Sequence, residues 1–260
     1  MFKLMKYEFR KWRTTLLALV AGLAALEIGF VAGRAMNKTG LMTVCLVLIS
    51  ILTFAAFAYL VIAGIASYSL ELRDKSGFLI FMTPVRPIGI VLSKLVFIAL
   101  AALAAMALFG TAAYLDFRFL IRRLDLDPET LDQLNMLLRF GLKSNATVQQ
   151  ILQMVGFFAV TSLVQILLTM CTAYLSITLS ATLLQNKKGF LRGLISFALF
   201  IALSWGASWL SQKLFYDRVA LDAAYEQFRG AIGGTAALNF ALCAVFCWAS
   251  AWLLDHKVNL

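Results

Sequence analysis

Six stretches of this chain run apolar for roughly twenty residues or more, the length that carries a helix across a bilayer at about 1.5 Å rise per residue. They lie at about 14–33, 42–68, 91–115, 151–182, 190–211 and 234–254. Each is apolar all round rather than striped, as a lipid-exposed helix is. The runs are too long and too unbroken for the alternation of a membrane β-barrel. Across the whole chain 62% of residues are hydrophobic and 14% charged, against about a quarter charged in a soluble domain. One globular core of this size cannot hide that much apolar surface. The expected fold is all-α: a polytopic membrane protein of six transmembrane helices forming a single domain over 1–260. The fourth segment is longer than the hydrocarbon needs, so it tilts or projects beyond it.

The formal net charge of +10 raises nucleic acid as a partner, since Lys and Arg drive phosphate binding. The cations instead cluster at the edges of apolar segments, as in Lys3–Arg13 and Lys187–Arg192. That placement serves topology and anionic headgroups, and no nucleic-acid partner is expected. On one side lie the amino terminus, the 69–90 loop with Lys94, the 185–192 turn and Lys257. There the cations concentrate at span ends, so both termini are read as cytoplasmic. Arg34, Lys38 and the long 116–150 and 213–233 loops fall on the other side.

The amino terminus is basic and then apolar, but the run from Thr14 to Val31 is too long for a signal peptide and reads as a retained first span. Before it, Phe2, Met5, Phe9 and Trp12 recur at helical spacing among Lys3, Lys6, Arg10, Lys11 and Arg13. An apolar stripe flanked by cations predicts an interfacial helix over 1–13. In the 116–150 loop, Asp127-Pro128-Glu129 is a helix start, followed by Leu131, Leu134, Leu138 and Leu142 at helical spacing. An amphipathic external helix is expected there. Gly230, Gly233 and Gly234 suggest a sharp turn or re-entrant piece before the last span.

Few residues offer chemistry. The sequence contains no G-x-x-x-x-G-K-[ST] phosphate loop, no H-E-x-x-H and no G-x-S-x-G, and its one histidine is His256. Cys45, Cys171, Cys243 and Cys247 all lie in apolar stretches, without the His or second Cys pair of a zinc site. They read as buried small hydrophobes. No metal and no enzymatic activity are expected of the chain itself.

The 69–90 connection is richer. Glu71, Arg73, Asp74 and Lys75 precede Gly77, a short apolar stretch with Phe78 and Phe81, and a Thr83-Pro84 break. Such exposed aromatics need lipid or a partner to cover them. A docking helix and a solvated interfacial loop both fit the residues. Within the fourth span, Gln149, Gln153, Thr161, Gln165, Thr169, Thr172 and Ser176 share one helical stripe. Polar side chains in hydrocarbon face other helices or a watery path, so the stripe is either interhelical glue or the lining of a pathway. Glu27 is the one deeply placed acid, a functional candidate by location or a partner of Arg34 or the headgroups.

The 69–90 region carries a resemblance. Glu71-Leu72-Arg73-Asp74-Lys75-Ser76-Gly77, the Thr83-Pro84-Val85-Arg86-Pro87 break and Ile90-Val91-Leu92-Ser93-Lys94-Leu95 look like the membrane subunits of type-2 ATP-binding-cassette exporters. The opening Lys6-Tyr7-Glu8-Phe9-Arg10-Lys11, the six spans and the closing Trp252-Leu253-Leu254-Asp255-His256-Lys257-Val258 fit the same family over the full length. The resemblance implies an elbow helix at Lys3–Arg13 and a coupling helix at 71–82 seated in a separate ATPase subunit. Glu71, Arg73, Asp74 and Lys75 would make its polar contacts, with Gly77, Phe78 and Phe81 in the cleft. It further implies a dimer of permease subunits with two ATPases that bind ATP and Mg. The assembly would export a drug, antimicrobial peptide or lipid-like cargo across a bacterial plasma membrane. The 116–150 loop is longer than the family's minimal pattern. Two other classes remain open: a scaffold or immunity protein that sequesters a ligand without ATP, and an ion-coupled carrier. A carrier calls for inverted repeats and several midplane ionisable residues, and only Glu27 is available.

Overall fold

The structure is a computed structural model, and it describes residues 2–36, 38–73, 87–121, 148–184, 189–216 and 225–256. Among these there is no strand. The elements are α1 (Phe2–Ala35), α2 (Thr39–Arg73), α3 (Pro87–Ile121), α4 (Val148–Leu183), α5 (Gly189–Ser211) running into a π-helical turn (Gln212–Tyr216), and α6 (Tyr225–His256). Each contains a stretch long and apolar enough to cross a membrane: Trp12–Ala35, Thr39–Leu72, Ile88–Asp116, Gly156–Leu183, Phe190–Phe215 and Gly230–Asp255. The all-helical, six-span, multi-pass reading is therefore observed, and the spans fall where unbroken apolar sequence puts them.

Two boundaries differ from expectation. The 1–13 segment is not a separate helix but the first turns of α1, a single helix of 34 residues. Nothing between Phe2 and the first glycine at Gly22 breaks helical geometry. Likewise Gly230, Gly233 and Gly234 make no turn and lie inside α6. Gly234 serves close packing instead: the ring of Phe215, on the π-helical turn, occupies the space a side chain there would fill. The expected external helix over 127–142 lies outside the described residues.

The chain divides into two compact units, Met1–Ala112 with Leu254–Leu260, and Ala113–Leu253. In the first, α1 and α2 form an antiparallel pair. Lys38 donates its backbone N–H to the Gly33 carbonyl at 3.0 Å, the wide bond that closes a Schellman-type helix end. Beside this turn Phe30, Met42 and Cys45 are buried together. Gly33 is required there, because a side chain would meet Leu41, Met42 and the Met42 backbone nitrogen at 3.0–3.2 Å. Further along, Leu23, Ile49, Ala56, Phe109 and Ala112 form a second buried cluster joining α1, α2 and α3. At the opposite end Trp12 is buried between the rings of Tyr59 and Phe97, centroids 5.8 and 5.6 Å away and edge-on.

In the second unit α4 and α5 pack antiparallel. From Leu168 to Thr178 α4 is buried on almost every face. Its hydroxyls tolerate this because they bond back to their own helix: Ser176 to Ala173, Thr178 to Tyr174 and Ser180 to Ile177, each at 2.8 Å. Across α4 and α6, the thiols of Cys171 and Cys243 approach to 2.9 Å.

Candidate functional site

Lys94 lies on the second turn of α3, about 9 Å inside the span that starts at Ile88, and is only 5% exposed. An isolated ammonium at that depth costs several kcal/mol. Its burial is met by three acceptors. Glu8 of α1 lies 2.6 Å from the Lys94 nitrogen, Glu71 of α2 2.7 Å, and the Ser67 hydroxyl, one turn before Glu71, 3.2 Å. A lysine ammonium has three protons and no acceptor, so all three protons are placed. The two carboxylates are themselves largely enclosed, with side chains 8% and 14% exposed. The cluster knots together the first turns of α1, the last turns of α2 and the first turns of α3.

This changes the role open to Glu71. Expected to face a docking partner, its carboxylate faces Lys94. Arg73 ends α2, while Asp74, Lys75, Gly77, Phe78 and Phe81 lie outside the described residues. The ion cluster therefore sits at both roots of the 74–86 connection: Glu71 stands three residues before it and Lys94 eight after it. In the sequence Lys94 reads as a topological charge and as part of the Ile90–Leu95 motif, and Glu8 only as part of the opening Lys6–Lys11 motif. Nothing local signals their pairing, since 86 residues separate them.

A second feature lies within the Ala113–Leu253 unit. A cavity of about 650 Å³ opens among α4, α5, the π-helical turn and α6. Gln165, Leu168, Thr169 and Thr172 line it from α4, and Phe200, Ser204, Ala207, Ser208 and Ser211 from α5. Gln212 of the π-helical turn and Thr235 and Asn239 of α6 complete the wall. No ionisable side chain is among them. A π-helical turn widens a helix locally and recurs at functional sites; here it carries Gln212 into the wall. The next residue, Lys213, points its ammonium at the Trp209 ring, 4.8 Å from the centroid.

Of the expected polar stripe, Gln165, Thr169 and Thr172 reach this cavity. Thr161 instead bonds the Phe158 carbonyl at 3.0 Å, and Gln153 lies in the first turns of α4, its side chain outside the description. The stripe both bridges helices and lines the cavity. Gln165 accepts a 2.9 Å hydrogen bond from Asn239, which is interhelical glue. Thr169 and Thr172 line the cavity, Thr172 almost wholly buried. Residues overlooked in the sequence are Ser204, Ser208 and Ser211 with Gln212, and Thr235 with Asn239. Their spacings of four and three residues are the available signal, diluted by the apolar majority of each span. Glu27 belongs to neither feature; it sits half-buried on α1, about 28 Å along the helix from Glu8. Among the described residues no group of three metal-ligating side chains converges.

Compared with known proteins, the chain matches no family model, no curated relative and no solved structure.

Proposed function

We propose that this chain is the permease subunit of an ATP-driven exporter, moved by a separate ATP-binding-cassette ATPase that docks on the 74–86 connection. The observation that carries the reading is the buried Lys94 cluster. A push on 74–86 is delivered to α2 through Glu71 and to α3 through Lys94, and both are bonded to one another and to α1 through Glu8. Three helix ends thus move as one body, which is what a subunit without its own phosphate loop needs in order to use a partner's ATP hydrolysis. The resemblance of Glu71–Gly77 and Thr83–Pro87 to type-2 exporter permeases supports the same reading. In it, two permease subunits and two ATPases assemble in a bacterial plasma membrane with both termini cytoplasmic. ATP and Mg stay on the partner, and the cargo is a drug, antimicrobial peptide or lipid-like molecule. Glu71 acts as a joint and not as a docking contact, while Asp74, Lys75, Phe78 and Phe81 make the contacts.

Co-expression with the ATPase of a neighbouring reading frame tests this. The two proteins are expected to co-purify, Phe78→Ala to weaken the association, and Glu71→Gln to leave association intact while lowering transport per ATP hydrolysed. Failure of any such ATPase to co-purify would overturn the proposal in favour of an ATP-independent binding protein.

A further inference from the structure

The cavity among α4, α5 and α6 has a hydrogen-bonding character that can be read atom by atom. Four of its hydroxyls have already given their protons to their own helices. Thr169 donates to the Gln165 carbonyl, Thr172 to Thr169, Ser211 to Ala207 and Thr235 to Ala231, each at 2.9 Å. What they turn toward the open volume is oxygen lone pairs. The Asn239–Gln165 bond spends one amide proton and one amide oxygen, whichever way the two amides are turned. The wall therefore offers the lone pairs of these hydroxyls together with the remaining amide protons of Gln165, Gln212 and Asn239.

Among the described residues its wall is also free of charge, as no Asp, Glu, Lys, Arg or His lines it. A permanent cation or anion would leave water with no counter-charge among these side chains to meet it, which is costly in a low-dielectric span. The volume equals about twenty waters at about 30 Å³ each, and it falls in the range of small-ligand pockets. Leu168, Phe200 and Ala207 supply apolar wall beside the hydroxyls.

We infer that this cavity binds the uncharged, polyhydroxylated headgroup of an amphiphile, a sugar or polyol bearing an apolar tail. The hydroxyls of the headgroup donate to Thr169, Thr172, Ser211 and Thr235, and the tail remains among apolar side chains or lipid. The inference rests on the permease reading only for its purpose, as the place where cargo is held; binding itself needs no ATPase.

The full chain, purified without any ATPase and reconstituted in nanodiscs, is titrated calorimetrically below micellar concentration. The three probes share one tail: octyl glucoside, octyl trimethylammonium and octyl sulfate. Saturable binding of the glucoside is expected, about tenfold or more tighter than either charged probe. Thr169→Val with Ser208→Ala is expected to weaken it by a similar factor, and Thr169→Ser, which keeps the oxygen, to retain it. Equal or tighter binding of a charged probe overturns the inference, as does undiminished binding by the double variant. So does the absence of saturable uptake, which would mean the cavity holds only water. Because nucleotide and ATPase are absent, failure here leaves the co-purification result standing on its own.

Discussion

Replacing Lys94 by methionine keeps the length of the side chain and deletes its charge, so the cost reports on the two carboxylates left behind. Each approaches the Lys94 nitrogen at 2.6 or 2.7 Å, which holds the two oxygens within about 5 Å of one another. At that separation, and an effective dielectric of about 20, two like charges repel by about 3 kcal/mol. Losing the ammonium also strips both acids of a charge-assisted hydrogen bond. Breaking a buried ion pair from one side typically costs about 3–5 kcal/mol, because the remaining charge must be desolvated or neutralised. A loss in that range is expected for Lys94→Met. Adding Glu8→Gln and Glu71→Gln should recover at least half of it, since no buried charge then remains. Unfolding in mixed micelles, driven by rising SDS fraction and followed by far-ultraviolet circular dichroism and tryptophan fluorescence, measures both. A single variant within about 1 kcal/mol of the parent would refute the reasoning, and so would a triple variant no better than the single.

Two other predictions concern helix contacts. Gly33→Leu should destabilise by about 1–3 kcal/mol through overpacking, because the Met42 backbone nitrogen stands 3.2 Å from the added carbon. Gly29→Ala should cost less, its obstruction being the Cys45 sulfur at 3.1 Å; the same micelle unfolding ranks the pair, and the reverse order counts against the α1–α2 packing. Treatment with copper–phenanthroline should join Cys171 to Cys243, the oxidant taking two electrons while two thiol protons leave and one S–S bond forms. Intact mass should fall by two hydrogens, both sites should resist maleimide, and Cys243→Ser should abolish the change; full labelling of both thiols after oxidation would deny the 2.9 Å approach.

What the sequence disclosed follows from the range of the forces involved. A span is set by local transfer free energy, so an unbroken apolar run such as 42–68 locates α2 without knowledge of its neighbours. The Gln165–Thr169–Thr172 face was legible because polar residues inside hydrocarbon are costly and helical spacing places them together. Ser204, Ser208 and Ser211 obey the same spacing but are small, and three serines scarcely lower the hydropathy of a span rich in Leu and Phe. The Lys94 cluster was illegible for a different reason. Charges near span ends satisfy both headgroup and partner interpretations, and only the tertiary approach of α1, α2 and α3 distinguishes them. Glu71 illustrates this: its place beside Arg73 and Asp74 suggests a solvated docking face, and its carboxylate turns inward because an ammonium waits there.

The unbroken course of α1 makes it a lever. Glu8 and Gly29 are about 32 Å apart along one continuous helix. The glycine end lies tight against α2, where a side chain on Gly33 would find no room, and the acidic end is tied to Lys94. With the glycine crossing as pivot, a tilt of about 10° carries Glu8 about 5 Å, the rise of one helical turn. Because Glu8 is bonded to Lys94, and Lys94 to Glu71, a rocking of that size would carry the end of α2 and the start of α3 with it. A small angle at the glycine end thereby becomes a displacement of a whole helix turn at the acidic end.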